Sequence, residues 1–211
     1  PRVMPEALWM PPIFLQRLPP AEQLRAFAID SAASPLTRHP RGCFERAEFP
    51  AGWFVNEATC TVGSGEAVFT RCRAALFELE CAQLPWLQMI VEDKVLAIAA
   101  RQFGCIWLLN ANQVLQRSER VHAPVVCNIC SISWGTSRRH VLAGEEELRL
   151  CWRRDTGEVT FRICSFSRPR HALSVFSYPL VVLQQRRFAR DAMGAMQRIA
   201  KNEGEARARV S

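Results

Sequence analysis

Lysine is almost missing from this chain: of 27 basic residues among 211, only Lys94 and Lys201 are lysine. An arginine bias of this kind often follows a GC-rich genome, so it is not read as chemistry. The formal charge of +7 would suit nucleic acid or an anionic membrane. The arginines are scattered, however, with only a modest concentration from Arg186 onward. Nucleic acid is therefore not expected as a partner, while peripheral contact with an anionic surface stays open. No run of about 18 uninterrupted apolar residues occurs, so no membrane span is expected. The chain opens on Pro1 rather than methionine, which fits trimming. Its early Trp9-Met10-Pro11-Pro12-Ile13-Phe14-Leu15 stretch is too broken by proline for a signal-peptide core.

The nine cysteines are odd in number and follow no paired spacing. Most fall in apolar strand patterns or on an amphipathic helix, where a free thiol packs as a small hydrophobe. A disulfide-stapled secreted domain is not expected, and a reducing cytoplasm fits better. Cys127-Asn128-Ile129-Cys130 is a lone CxxC on a strand, where its two thiols face opposite sides and suit neither redox exchange nor zinc. A nucleophile elbow, a P-loop and a dinucleotide fingerprint are all lacking. Gly63-Ser64-Gly65 is too short to cradle phosphate and reads as a turn. No His/Asp/Glu spacing converges three or four metal ligands, so neither metal nor cofactor is expected.

What is present is a sheet-and-helix pattern. Residues 1–50 read as a proline-rich N-terminal extension with one short helix (residues 21–33) and a loop. Residues 51–202 read as one domain, and 203–211 as a charged tail. Within the domain, 53–62 alternate as a first strand. After the Gly63 to Gly65 break, with Ser64 as N-cap, 67–81 carry Val68, Phe69, Cys72, Leu76 and Leu79 near one helical face. Strands then follow at 87–92, 95–101, 105–110, 113–121, 125–136, 145–153 and 158–166. Short breaks at 92–94, Phe103-Gly104, 137–139 and Asp155-Thr156-Gly157 separate them. Short connections predict an antiparallel meander. A long terminal helix, from Ser177-Tyr178-Pro179 to about Asn202, presents Val181, Phe188, Ala192, Ala195 and Ile199 as one apolar stripe. The fold class is α+β: a curved antiparallel sheet of about seven or eight strands wrapped around that helix.

The polar residues gather at one strand end. Period two places Glu146 with Leu148, Leu150 and Trp152 on the inward face, and Glu147, Arg149, Cys151 and Arg153 on the other. A buried carboxylate without a partner is costly. Glu146 should therefore sit at a cavity mouth or meet a cation, with Arg168 as partner; otherwise it is a surface residue at a frayed strand start. Ser165 shares its face with Phe161 and Ile163 and serves either a ligand or its own backbone. Pro169 holds Arg168 extended. A fixed guanidinium there can take a carboxylate or phosphate, or lock the strand to the final helix by an ion pair. His140 and His171 fit general acid/base work, although His171 before a helix equally fits a turn hydrogen bond. Trp107, Trp134, Trp152 and Phe161 are either ordinary core or the wall of a cavity.

Several of these segments carry a resemblance, from about residue 17 to 200. Pro35-Leu36-Thr37-Arg38, Pro50-Ala51-Gly52-Trp53, Val62-Gly63-Ser64-Gly65, Ile106-Trp107-Leu108-Leu109-Asn110, Trp134-Gly135-Thr136, His140, Gly144-Glu145-Glu146, and above all Ser165-Phe166-Ser167-Arg168-Pro169 with His171 stand in joint order. Together they resemble a bacterial and plant family called domain of unknown function nineteen-ninety. The chain departs from it at Ala111-Asn112-Gln113, Arg138-Arg139 and Val141-Leu142, where the family tends to carry Pro-Cys-Arg, Pro-Gly and Pro-Glu. The resemblance implies the helix-grip arrangement of START-like and birch-pollen-allergen-like proteins, and no reaction. The expectation is a carrier or sensor that holds a hydrophobic or amphiphilic small molecule, or a lipid, between sheet and helix. Trp107, Trp134, His140, Glu146, Ser165, Arg168 and His171 are its site residues, with no catalytic residue among them. One alternative is a cyclase or small hydrolase on the same scaffold, using His140, Glu146 and His171. Another is an interaction protein using its basic C-terminal helix.

Overall fold

The computed structural model describes residues 11–102, 104–122 and 127–201; residues 1–10 of the N-terminal extension and the whole charged tail, with Phe103, 123–126 and Asn202, lie outside them. The sheet has eight antiparallel strands: β1 (Ile13–Leu15), β2 (Phe54–Ser64), β3 (Leu87–Glu92), β4 (Val95–Gln102), β5 (Ile106–His122), β6 (Cys127–Thr136), β7 (Leu142–Arg153) and β8 (Glu158–Pro169). Its order is β2-β8-β7-β6-β5-β4-β3. β1 pairs with β5 through Ile13↔Leu108 and its neighbours. The helices are α1 (Ala21–Asp30), α2 (Cys43–Arg46), α3 (Glu66–Phe77), α4 (Ala172–Phe176) and α5 (Tyr178–Lys201).

Both faces of the sheet are covered where apolar residues run without alternation, as in β4, which is buried continuously from Val95 to Ala99. On the concave face Leu148, Leu150, Phe161 and Ile163 pack against Cys72 and Leu76 of α3 and Phe188, Ala192 and Met196 of α5. The far half of α5 is rich in alanine (Ala189, Ala192, Ala195, Ala200, all buried). Small side chains let that half approach closely, so it packs solidly on β2 and α3. On the convex face α1 lays Leu24 and Ala28 over β4 and β5. Phe44 and Phe49 surround Phe166 there, with ring centroids 5.6 and 5.9 Å away.

Four local expectations are corrected. The segments 105–110 and 113–121 form one 17-residue strand. Asn112 between them is paired on both sides, with Leu96 and Thr136, and the strand serves different partners along its length. Its first part pairs with β4 and β1, and its second with β6. The proline-rich lead-in contributes β1. Helix α3 is capped by Gly65 rather than Ser64, because β2 runs through Ser64 and the backbone then turns at φ 87°, where glycine is unstrained. The cysteines are not all free: Cys127 and Cys151 form a disulfide between β6 and β7, and the other seven are free. Cys127 lies two residues from Ile129, the register partner of Cys151, so the two thiols share a face on adjacent strands. Cys130 faces the opposite side, into the core.

Candidate functional site

The near half of α5 stands off the sheet. Between them lies a cavity of about 310 Å³. Met89, Ile98 and Ala100 form part of its apolar wall, with Leu180, Val181 and Phe188 from the helix. That volume is at the lower end of the roughly 300–1,000 Å³ of small-molecule sites.

A polar row crosses this wall. Trp134, Glu146 and Ser165 are register neighbours on β6, β7 and β8, and all three line the cavity. Burial raises the Glu146 carboxyl to about 8, against the smaller pull of the Trp134 indole hydrogen bond. Glu146 keeps some exposed surface, but that surface is cavity wall, so desolvation still dominates. At neutral pH the group is mostly the neutral acid, and therefore a hydrogen-bond donor.

His140 enters from the connection between β6 and β7 and lines the same cavity. Burial first, then the Arg170 charge, hold its imidazole down to about 3. The Leu142 N–H donates to His140 Nδ1 at 2.9 Å. A backbone N–H can only donate, so the ring is neutral with its proton on Nε2. The segment carrying His140 is clamped from three sides. Val141 N–H donates to Asn110 Oδ1 at 3.2 Å, Ser174 Oγ donates to Val141 O at 2.6 Å, and Arg170 Nη1 donates to the carbonyls of Arg138 and His140 at 3.2 and 3.5 Å. The motif after Ser167 thus works partly as a brace for a neighbouring loop.

Arg168 does not reach the cavity and does not meet Glu146. It extends from the convex face, with its guanidinium 4.5 Å from the centre of the Trp53 ring. There it borders a polar groove of about 620 Å³ together with Arg38, Arg138, Arg170 and Thr37. Trp107 is also on the convex face, packed under α1 with Leu24, Ala99 and Leu109. His171 borders neither space; its N–H donates to Val141 O at 3.1 Å, in the turn between β8 and α4. Of the seven site residues expected from the sequence, the cavity gathers Trp134, His140, Glu146 and Ser165. His140 and Glu146 therefore meet at one space and His171 does not, which leaves the acid/base trio incomplete. Trp152 and Phe161 belong to the solid part of the core.

Among the polar residues of the cavity that were not expected as site residues are Gln184, Gln185 and Asn112. Gln184 Nε2 donates to Arg101 O and Gln102 Oε1 at 3.0 and 2.9 Å, and Gln185 Nε2 donates to Ser167 Oγ at 2.9 Å. These bonds fix both amides and leave each Oε1 buried without a hydrogen-bond partner among the described residues, as is Asn112 Nδ2. Their signal in the sequence is positional. Gln184 and Gln185 interrupt the stripe between Val181 and Phe188, and Asn112 interrupts an apolar strand. The buried thiols Cys81, Cys130 and Cys164 are pushed up to about 12 by desolvation and remain unreactive near neutral pH.

Fold and site together define a helix-grip protein: a curved antiparallel sheet closed over a long terminal helix, with an apolar internal cavity between them. The chain belongs to the family described as Domain of unknown function (DUF1990), whose model matches residues 37–195. It is 30% identical over 152 residues to a UPF0548 protein of Arabidopsis thaliana, covering 69% of this chain and 72% of that one. Among solved structures it is similar to human STARD10, with a TM-score of 0.45 at 10% identity over 92% of this chain and 84% of that one. It is also similar to Ara h 8.0201, with a TM-score of 0.39 at 12% identity over 69% of this chain and 98% of that one. No helix among the described residues is long and apolar enough to cross a membrane.

Proposed function

We propose that the protein binds a hydrophobic or amphiphilic small molecule in the cavity under α5. The observation that supports this reading is the cavity itself, about 310 Å³ of largely apolar-walled space within a core packed solidly elsewhere. Apolar burial supplies the affinity, at roughly 25 cal/mol per Å² before ordering costs. The mouth is open to such a ligand: Ile13 and Leu180 line the cavity and remain exposed.

The test is native mass spectrometry of the purified protein, followed by melting with added amphiphiles. An amphiphile at about 100 times its Kd stabilises by about 2.7 kcal/mol, which raises Tm by roughly 5–10 °C. Ile98→Phe and Val181→Phe each fill the cavity from a different wall and should abolish that rise while keeping the far-UV spectrum. An empty wild-type protein that no amphiphile stabilises would sink the proposal.

A second reading concerns the convex groove, favoured by the guanidinium groups of Arg38 and Arg168 that border one polar space beside Arg138 and Arg170. It fits an anionic bilayer surface better than the C-terminal helix does. On that helix Arg187 stacks on Trp86 and Arg190 pairs with Asp191 at 3.0 Å. Sedimentation with phosphatidylserine vesicles should weaken steeply between low and high salt, and should be lost in Arg38→Glu/Arg168→Glu. Binding indifferent to both changes contradicts this reading.

A further inference from the structure

The composition of the cavity wall narrows its occupant. The chain carries 27 arginines and lysines, yet none of those among the described residues lines the cavity. The guanidinium groups of the same strand end lie on the convex side. A carboxylate or phosphate buried under α5 would therefore meet no cation, and an unpaired buried anion is strongly disfavoured. It would also face Glu146.

The polar atoms that are present are of two kinds. His140 Nε2–H donates, while the neutral carboxyl of Glu146 and the hydroxyl of Ser165 each donate and accept. The Leu142 hydrogen bond occupies His140 Nδ1 and leaves the ring proton on Nε2. A carboxylate or ketone can only accept, and an ammonium can only donate. A hydroxyl does both, and it stays neutral.

We infer that the cavity selects an uncharged lipid alcohol, with the hydroxyl set among His140, Glu146 and Ser165, and rejects the corresponding fatty acid. This inference rests on the cavity-binding reading and gives it a headgroup. An acid with an ordinary carboxyl pKa near 4.3 enters such a wall only by taking up a proton, which at pH 7 weakens its binding by at least about a hundredfold. A fatty alcohol carries no such cost.

The deciding experiment compares three ten-carbon probes at pH 7 on the full chain by calorimetry: decanol, decanoate and decylamine. Decanol should bind at least about a hundredfold tighter than decanoate, and tighter than decylamine. His140→Phe, which keeps an aromatic ring and removes its donor, should reduce the ratio of decanol to decane affinity by about tenfold. Glu146→Leu should act in the same direction and guards against a folding defect in the first variant. Decanoate or decylamine binding as tightly as decanol overturns the alcohol assignment while leaving the cavity as a ligand site. Equal loss of decanol and decane in both variants overturns it as well. Failure of all three probes and of decane removes the cavity-binding reading itself, and this inference with it.

Discussion

Gly144→Ala should lower the melting temperature by roughly 6–12 °C, the equivalent of about 3 kcal/mol of overpacking in a domain of this size. Gly144 is the third residue of β7, stands opposite Ser167 of β8 and lines the cavity. A methyl group added there would lie 2.9 Å from Ser167 Cα and closer still to the Phe166 carbonyl oxygen. Both obstacles are backbone, so no rotamer change relieves them. The strands must part at the register that holds Glu146 against Ser165. Calorimetric melting checks the prediction, and a change under about 2 °C would show that the β7–β8 ladder yields more easily than its geometry allows. The same substitution at Gly52 or Gly157, where the added carbon meets nothing within 4 Å, controls for loss of glycine as such.

The pH dependence of stability should show a plateau between about pH 4.5 and 6.5 with a fall on either side. Glu146 is raised in the fold to about 8 from an ordinary 4.5. Its contribution is therefore complete below pH 4.5 and is lost as pH rises through 8. His140 is lowered from 6.5 to about 3, so its contribution is complete above pH 6.5 and is lost as pH falls through 3. Between 4.5 and 6.5 the two slopes oppose and cancel. From 6.5 to 8 only Glu146 acts, and stability falls by up to about 1.4 kcal/mol per pH unit, close to 2 kcal/mol across the window. Glu146→Gln cannot ionise. It should remain flat above pH 6.5 and outlast the wild type at pH 8. Urea titrations at half-unit steps measure this directly through the difference between the two proteins. Parallel curves for variant and wild type would mean that Glu146 is already solvated and ionised in the fold.

Both predictions turn on the strand end that the sequence marked out, and they show how far parity alone can be taken. Period two along β7 put Glu146 inward with Leu148 and Leu150, as the structure has it. The same rule along β8 puts Ser165 and Ser167 on one face and Arg168 on the other. The pairing of Arg168 with Glu146 conflicted with that rule, and Arg168 lies outside, against Trp53. The glutamines of α5 were legible as polar interruptions of an apolar stripe. Which atoms they leave unmet depends on Arg101 and Ser167, far away in the chain.

The order of elements, the antiparallel meander, the long amphipathic helix and the inward carboxylate followed from the amino-acid sequence itself, because periodicity and turn chemistry are local properties of the chain. Tertiary structure decided the rest. Alternation marks two faces of a strand but not which covering element lies on each. Trp107 thus proved to lie beneath α1, while Trp134 proved to lie beneath α5. Whether sheet and helix close solidly or leave a hollow depends on how near they come. That distance is set by alanines at one end of α5 and by bulkier side chains at the other, acting together with every strand they touch.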